Sequence, residues 1–313
     1  MYKDIKNGWD LIKESIKVFC KYPKFILPLL FTWIVYAPIV LYFGYGFKPD
    51  LYTQKQIFII VFMVIFVTSF FLVFSCSMLL EFIQQIESGR ELSFIDSFKD
   101  TCKSNLLKLL PLVFIWSVVQ FIFLIIQSLF SKDKKDQNRS LNLENAAKTL
   151  SGSSKFSFSS FTFKILEKTV RMVVFLILPA VAWDNLPFRK AVKKGFSVIG
   201  KHPSEFLAGF VLTGISSAII FAPLALLYIV SEGAVAIPKY VWIISIIYSS
   251  FAWSYSIYLE QMFIAYLYLW DTKWEEEILK AQKEGRVIPD FKNYPIPSIL
   301  DSTNDLINKN VSF

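Results

Sequence analysis

Hydrophobic positions follow two rhythms along the chain. In the first, positions stay predominantly apolar over long runs, at about 24–44, 57–80, 106–130, 163–183, 206–230 and 241–265, the fourth carrying Lys164, Glu167, Lys168 and Arg171 in its first half. At 1.5 Å of helical rise per residue, each run is long enough to cross the ~30 Å hydrocarbon core of a bilayer. The second run (IFIIVFMVIFVTSFFLVFSCSMLL) and the fifth (FLAGFVLTGISSAIIFAPLALLYIV) carry no charge at all. A soluble fold has nowhere to bury six such stretches, so they are predicted to be membrane-spanning helices. The prolines inside them (Pro28, Pro38, Pro111, Pro179 and Pro223) are compatible with kinked spans, because membrane helices tolerate proline.

The second rhythm has the period of an amphipathic helix, and it appears just ahead of the odd-numbered spans. In GWDLIKESIKVFCKYP (8–23) and the residues before it, Ile5, Trp9, Ile12, Ile16 and Phe19 line one face, opposite Lys6, Asp10, Lys13, Lys17 and Lys21. In FRKAVKKGFSVIGKHP (188–203), Phe188, Val192, Phe196 and Ile199 oppose Arg189, Lys190, Lys193 and Lys194. Laid together without gaps, the two segments match at Lys13/Lys193, Val18/Val198, Lys21/Lys201 and Pro23/Pro203. RELSFIDSFKDTCKSN (90–105) joins them more loosely, through Ser15/Ser97, Lys17/Lys99, Cys20/Cys102 and Lys21/Lys103. The expectation is a unit of one interfacial helix and two spans, repeated over 1–89, 90–186 and 187–270. The fold class is therefore all-α, a polytopic transmembrane helical bundle of about six spans, with interfacial amphipathic helices preceding spans 1, 3 and 5.

Two stretches fall outside this plan. A polar insert, 131–162, runs from SKDKKDQNRS to SGSSKFSFSSFT. The tail, 271–313, is expected to open with a short helix capped by Thr272 and Glu275 and stopped at Gly285. Beyond Pro289, Pro295 and Pro297 an extended or disordered end is expected.

Composition agrees, with 54% hydrophobic residues, 32 of the 313 being Phe, and only 19% charged. The net charge of +8 does not call for nucleic acid, because the Lys and Arg residues lie beside the spans, where anionic lipid headgroups attract them. The segments sharing the N-terminal side carry 20 Lys and Arg, against 11 opposite, of which 8 lie in 131–168. The positive-inside rule then places both termini in the cytoplasm and the protein in the cell (inner) membrane. The amphipathic N-terminal stretch does not read as a signal peptide, and three cysteines make no disulfide framework.

With these features in view, the chain resembles an uncharacterised family of bacterial multi-pass membrane proteins, a domain of unknown function. The resemblance is carried by WDNLPFRKAVKKGFSVIGKHPSEFL, at Asp184, Pro187, Ala191, Val192, Lys193, Lys194 and Gly195, and by the turn Glu87-Ser88-Gly89. It covers most of 5–272, and the polar insert and long tail depart from it. It implies the fold, and it supplies no activity.

No pairing of acids, Ser/Lys dyad, set of His ligands or cofactor motif stands out, so no catalytic, cofactor-binding or metal residue is assigned. His202, the only histidine, aligns with Tyr22 and reads as an interfacial aromatic position. Glu260 is expected at the headgroups near the end of the last span. The one unusual constellation is Lys164, Glu167, Lys168 and Arg171, on one face of the fourth span. It is either an aqueous extension of a short span starting near Thr169, or a charged stripe facing a cavity. The first option goes with a non-enzymatic structural or interaction component of the membrane. The second goes with a permease for a small solute or lipid.

Overall fold

The structure, a computed structural model, describes residues 2–48, 51–130, 158–232, 238–288 and 290–299. Most of the polar insert (131–157) and the last residues of the tail (300–313) lie outside the described residues. Among those described there is no strand. The helices are α1 (Tyr2–Lys21), α2 (Leu27–Leu41), α3 (Gln54–Glu87), α4 (Phe94–Asp100), α5 (Leu106–Phe130), α6 (Phe158–Ala182), α7 (Phe188–Lys201), α8 (Pro203–Glu232) and α9 (Lys239–Glu284).

Local sequence accounts for several boundaries. Thr53 and Gln56 close a capping box on α3, satisfying amides that the helix itself leaves open. Ser93 caps α4 by accepting from the Asp96 amide. Gly285, at φ +65°, ends α9 in the left-handed conformation, and Arg286 N–H donates to the Ala281 carbonyl at 2.9 Å. The expected stop is thus in place, but the expected start at Thr272 is not. The tail helix is continuous with the last span because Leu267 to Asp271 are buried against the bundle, and their packing outweighs a local capping signal.

Five stretches are long and apolar enough to cross a membrane: Pro23–Leu41, Gln54–Glu87, Phe94–Gln127, Pro203–Val230 and Tyr240–Glu284. Helix α6, the expected fourth span, is not among them. Its wall is mostly protein, since Met172 and Phe175 to Val181 are buried, and its first half carries charge. By contrast Ile215, Ile219 and Leu226 of α8 and Ile243, Ile246 and Ile247 of α9 are each more than half exposed. So broad an apolar surface suits lipid and not water. The 46 residues of α9 extend ~69 Å, so one end projects well beyond the hydrocarbon.

Helices α3, α6 and α9 touch one another at the centre. Around them, α2 lies against α3 and α9, α5 against α3 and α6, and α8 against α9. The helices before the odd-numbered spans follow a common rule. Each rests on the closing helix of a preceding pair, α4 on α3 and α7 on α6, while α1 rests on α8 and α9.

The buried edge of these helices differs from the expected stripe. On α1 it is Leu11, Ile12, Ser15 and Val18, while Trp9 and Ile16 are exposed. On α7 it is Ala191, Gly195 and Val198, while Phe196 is exposed. The apolar arc is therefore shared, one edge packing on the bundle and the other facing outward. Gly195 lets α7 sit tightly, since a Cβ there would lie 3.0 Å from the Ile177 side chain.

The tail also departs from expectation. Phe291 stacks on His202 with ring centroids 3.6 Å apart and lies 4.1 Å from Trp270. Trp270 Nε1 donates to the Tyr294 carbonyl at 3.3 Å, and Ile299 is buried. Phe291 at one end and Ile299 at the other anchor a proline-rich strip whose only helix among the described residues is the single 3-10 turn Phe291–Asn293.

Candidate functional site

The sequence-predicted stripe on α6 is brought to a partner on α9. Arg171 grips Glu260 with two hydrogen bonds, Nε to Oε2 at 2.9 Å and an Nη2 bond to Oε1 at 3.1 Å. Lys168 Nζ lies 3.5 Å from the same carboxylate. Glu167, one turn before Arg171, is 3.8 Å from its other Nη, beyond hydrogen-bonding distance. The side chain of Lys164 lies outside the described residues.

Glu260 corrects the expectation of a headgroup position. Its side chain is 3% exposed, and those of Lys168 and Arg171 are 14% and 18% exposed. The reason is register: α9 continues well past residue 265, which carries Glu260 inward along the bundle to the level of Arg171. Each partner tolerates burial only because the other is there, since an isolated ion in such a place would be far costlier. Lys168 also lies 5.0 Å from the centroid of Phe210 on α8, a cation–π contact. A Cβ at Gly214 would come within 3.2 Å of its ammonium.

Beside the ion cluster is a cavity of about 310 Å³, with walls from α2, α3, α5, α6 and α9. Arg171 and Glu167 stand on one side of it. Tyr36, Thr68, Ser69 and Gln120 supply further polar groups, and Trp116, Trp253, Phe43 and aliphatic side chains supply the rest. Tyr36 OH donates to the Thr68 carbonyl at 2.7 Å, which fixes its ring beside Trp253, 5.5 Å away centroid to centroid. The cavity belongs to the half of the bundle where α2 ends and α3 begins, opposite the interfacial helices.

A second cluster lies at the other end, on the interfacial side. Asp271 and Glu275 of α9 face Lys194 and Lys201 of α7, and His202 Nε2 is 2.8 Å from Asp271 Oδ1. His202 is 3% exposed, so it is not the interfacial ring expected from its match with Tyr22. Burial works against the Lys201 ammonium, yet Glu275 and Asp271 outweigh it and hold its pKa above the ordinary lysine value. This cluster clamps α7 to α9.

A third polar contact, Asn105 Nδ2 to Glu81 Oε1 at 3.0 Å, ties α3 to the turn before α5. Among the described residues no group of three His, Cys, Asp or Glu could hold a metal ion. The cysteines are free thiols, Cys76 buried and Cys20 exposed.

Sequence reasoning found Glu167, Lys168 and Arg171, singled out Glu260 but set it at the headgroups and not as their partner, and missed the aromatic wall. A signal was available for Glu260, since one acid in a long apolar run answers unpaired cations in another. Compared with protein-family models, curated proteins and solved structures, the chain matches none. The family resemblance rests on its own residues alone.

Proposed function

We propose that this is a non-enzymatic permease of the cell membrane, which takes a small solute or lipid into the cavity beside Arg171. The observation that carries the reading is Arg171 itself, ion-paired within the bundle and standing on the wall of a cavity. A purely structural component would have its charged stripe above the membrane plane, with no charged cavity among the spans. Intramembrane ionisable groups that line a cavity mark solute pathways.

The same reading places both termini in the cytoplasm, with anionic headgroups against the Lys-rich faces of α1 and α7 and no nucleic-acid partner. Three repeated units form a single domain over 1–270. Two features support the repeat. Ser15, Ser97 and Gly195 occupy equivalent positions and are all buried, and the packing of α4 on α3 and α7 on α6 is completed by α1 on α9.

Purification with native lipids, followed by mass spectrometry, tests the function. A small molecule retained by the wild type is expected to be lost from the double variant Arg171→Gln/Glu260→Gln, which leaves the net charge of the site unchanged. Identical retained compounds in both would return the cluster to a structural role. Topology has its own check: a periplasm-active reporter fused at Asn142 and a cytoplasm-active one after Phe313 should both give signal. Opposite sidedness would overturn the orientation.

A further inference from the structure

We infer that the cavity takes an amphiphilic anion, a carboxylate or phosphate head on an apolar body, and that Arg171 holds the head. The inference rests on the cavity being a ligand site, and it names the class of ligand. It starts from the donors of the guanidinium. Arginine offers five N–H groups in a fixed fork. Glu260 takes two of them. Glu167, at 3.8 Å, is too far to take a third by a hydrogen bond, so among the described residues N–H groups of a largely buried cation on the cavity wall have no further acceptor. Bidentate capture of a planar or tetrahedral oxyanion is what that fork does best.

Charge points the same way. Lys168 and Arg171 share the single carboxylate of Glu260, which leaves these three buried side chains with a surplus positive charge. Glu167 offsets it from a side chain 46% exposed and not hydrogen-bonded to Arg171, so it is held less firmly than Glu260. An incoming anion would replace Glu167 at lower cost than a cation would meet in facing Arg171. The body of the ligand follows from the remaining walls. Val40, Val64, Leu72, Trp116 and Trp253 form a predominantly apolar surface, which rewards a hydrocarbon or ring system and offers little to a fully hydrated ion. The volume is at the small end of ligand pockets, about 300–1,000 Å³, so it suits a single-chain compound.

The experiment uses the full chain in nanodiscs of zwitterionic lipid and three bromine-bearing probes: bromododecanoate, bromododecyl phosphate and bromododecyltrimethylammonium. Bromine quenches tryptophan on contact, and Trp116→Phe identifies the part of the signal that arises in the cavity. Saturable quenching by an anionic probe is expected, removed in part by Trp116→Phe and weakened about tenfold or more by Arg171→Gln. Which anion acts separates a carboxylate from a phosphate head. Glu167→Gln, which leaves the buried pair intact, should tighten anion binding even if Arg171→Gln fails to assemble. Equal or stronger quenching by the cation, quenching indifferent to Trp116→Phe, or anion binding weakened by Glu167→Gln would each overturn the inference. Flux of the same probes in proteoliposomes is read separately. Anion binding without flux removes the permease reading and keeps this site, and cation binding with flux does the reverse.

Discussion

Arg171 and Glu260 are the residues on which most of the chemistry turns, and their behaviour on substitution should be strongly non-additive. Removing Glu260 leaves Arg171 and Lys168 without their carboxylate, a loss of about 3–5 kcal/mol, whereas removing Arg171 leaves Glu260 with Lys168 at 3.5 Å and should cost less. Removing both, in Arg171→Gln/Glu260→Gln, should recover part of the Glu260→Gln loss, because two neutral amides can bond to each other while Lys168 stays without its carboxylate. Thermal unfolding of the four proteins in one detergent measures this coupling, and additive losses would show that the two side chains do not act as a pair. The stripe on α6 was legible in the sequence because charges at three- and four-residue spacing announce a shared face. Its partner was not legible, because the depth of Glu260 depends on how far α9 runs past the last apolar residue. That length is set by the burial of Leu267 to Asp271 against other helices, and no local pattern records it.

At the scale of elements, close approach is set by small residues. A Cβ at Gly209 would lie 1.9 Å from the Phe263 ring, so α8 can reach α9 only where the side chain is absent. Gly209→Ala should therefore force the two apart and cost about 1–3 kcal/mol despite alanine's better helix propensity. Unchanged thermal stability would mean that Phe263 has room to turn away. The tail strip gives a different result. Phe291→Ala deletes the ring seated between His202 and Trp270, a loss of roughly 3 kcal/mol falling on the docking of 290–299 alone. Proteolysis within that strip should accelerate while the bundle's melting temperature stays in place. The spans and the interfacial helices could be read from period alone. The docked strip could not, since prolines without periodicity say only that no helix forms.

At the scale of the whole molecule, the sequence led to the expectation of three similar units, and it did not show that α3, α6 and α9 meet at the centre or that α1 closes on α8 and α9. That closure has a consequence for biogenesis. Helix α1 leaves the ribosome before α8 and α9, on which it comes to rest. While the intervening spans are inserted, α1 has no protein surface to cover Leu11, Ile12 and Val18, and the headgroup layer is the one apolar refuge within reach. Its lysine-rich face is then a mooring that holds the first helix at the membrane until the final hairpin arrives. In chains arrested before residue 203 a photo-crosslinker in place of Ser15 should capture lipid, and in chains extended past residue 284 it should lose lipid capture and take protein instead.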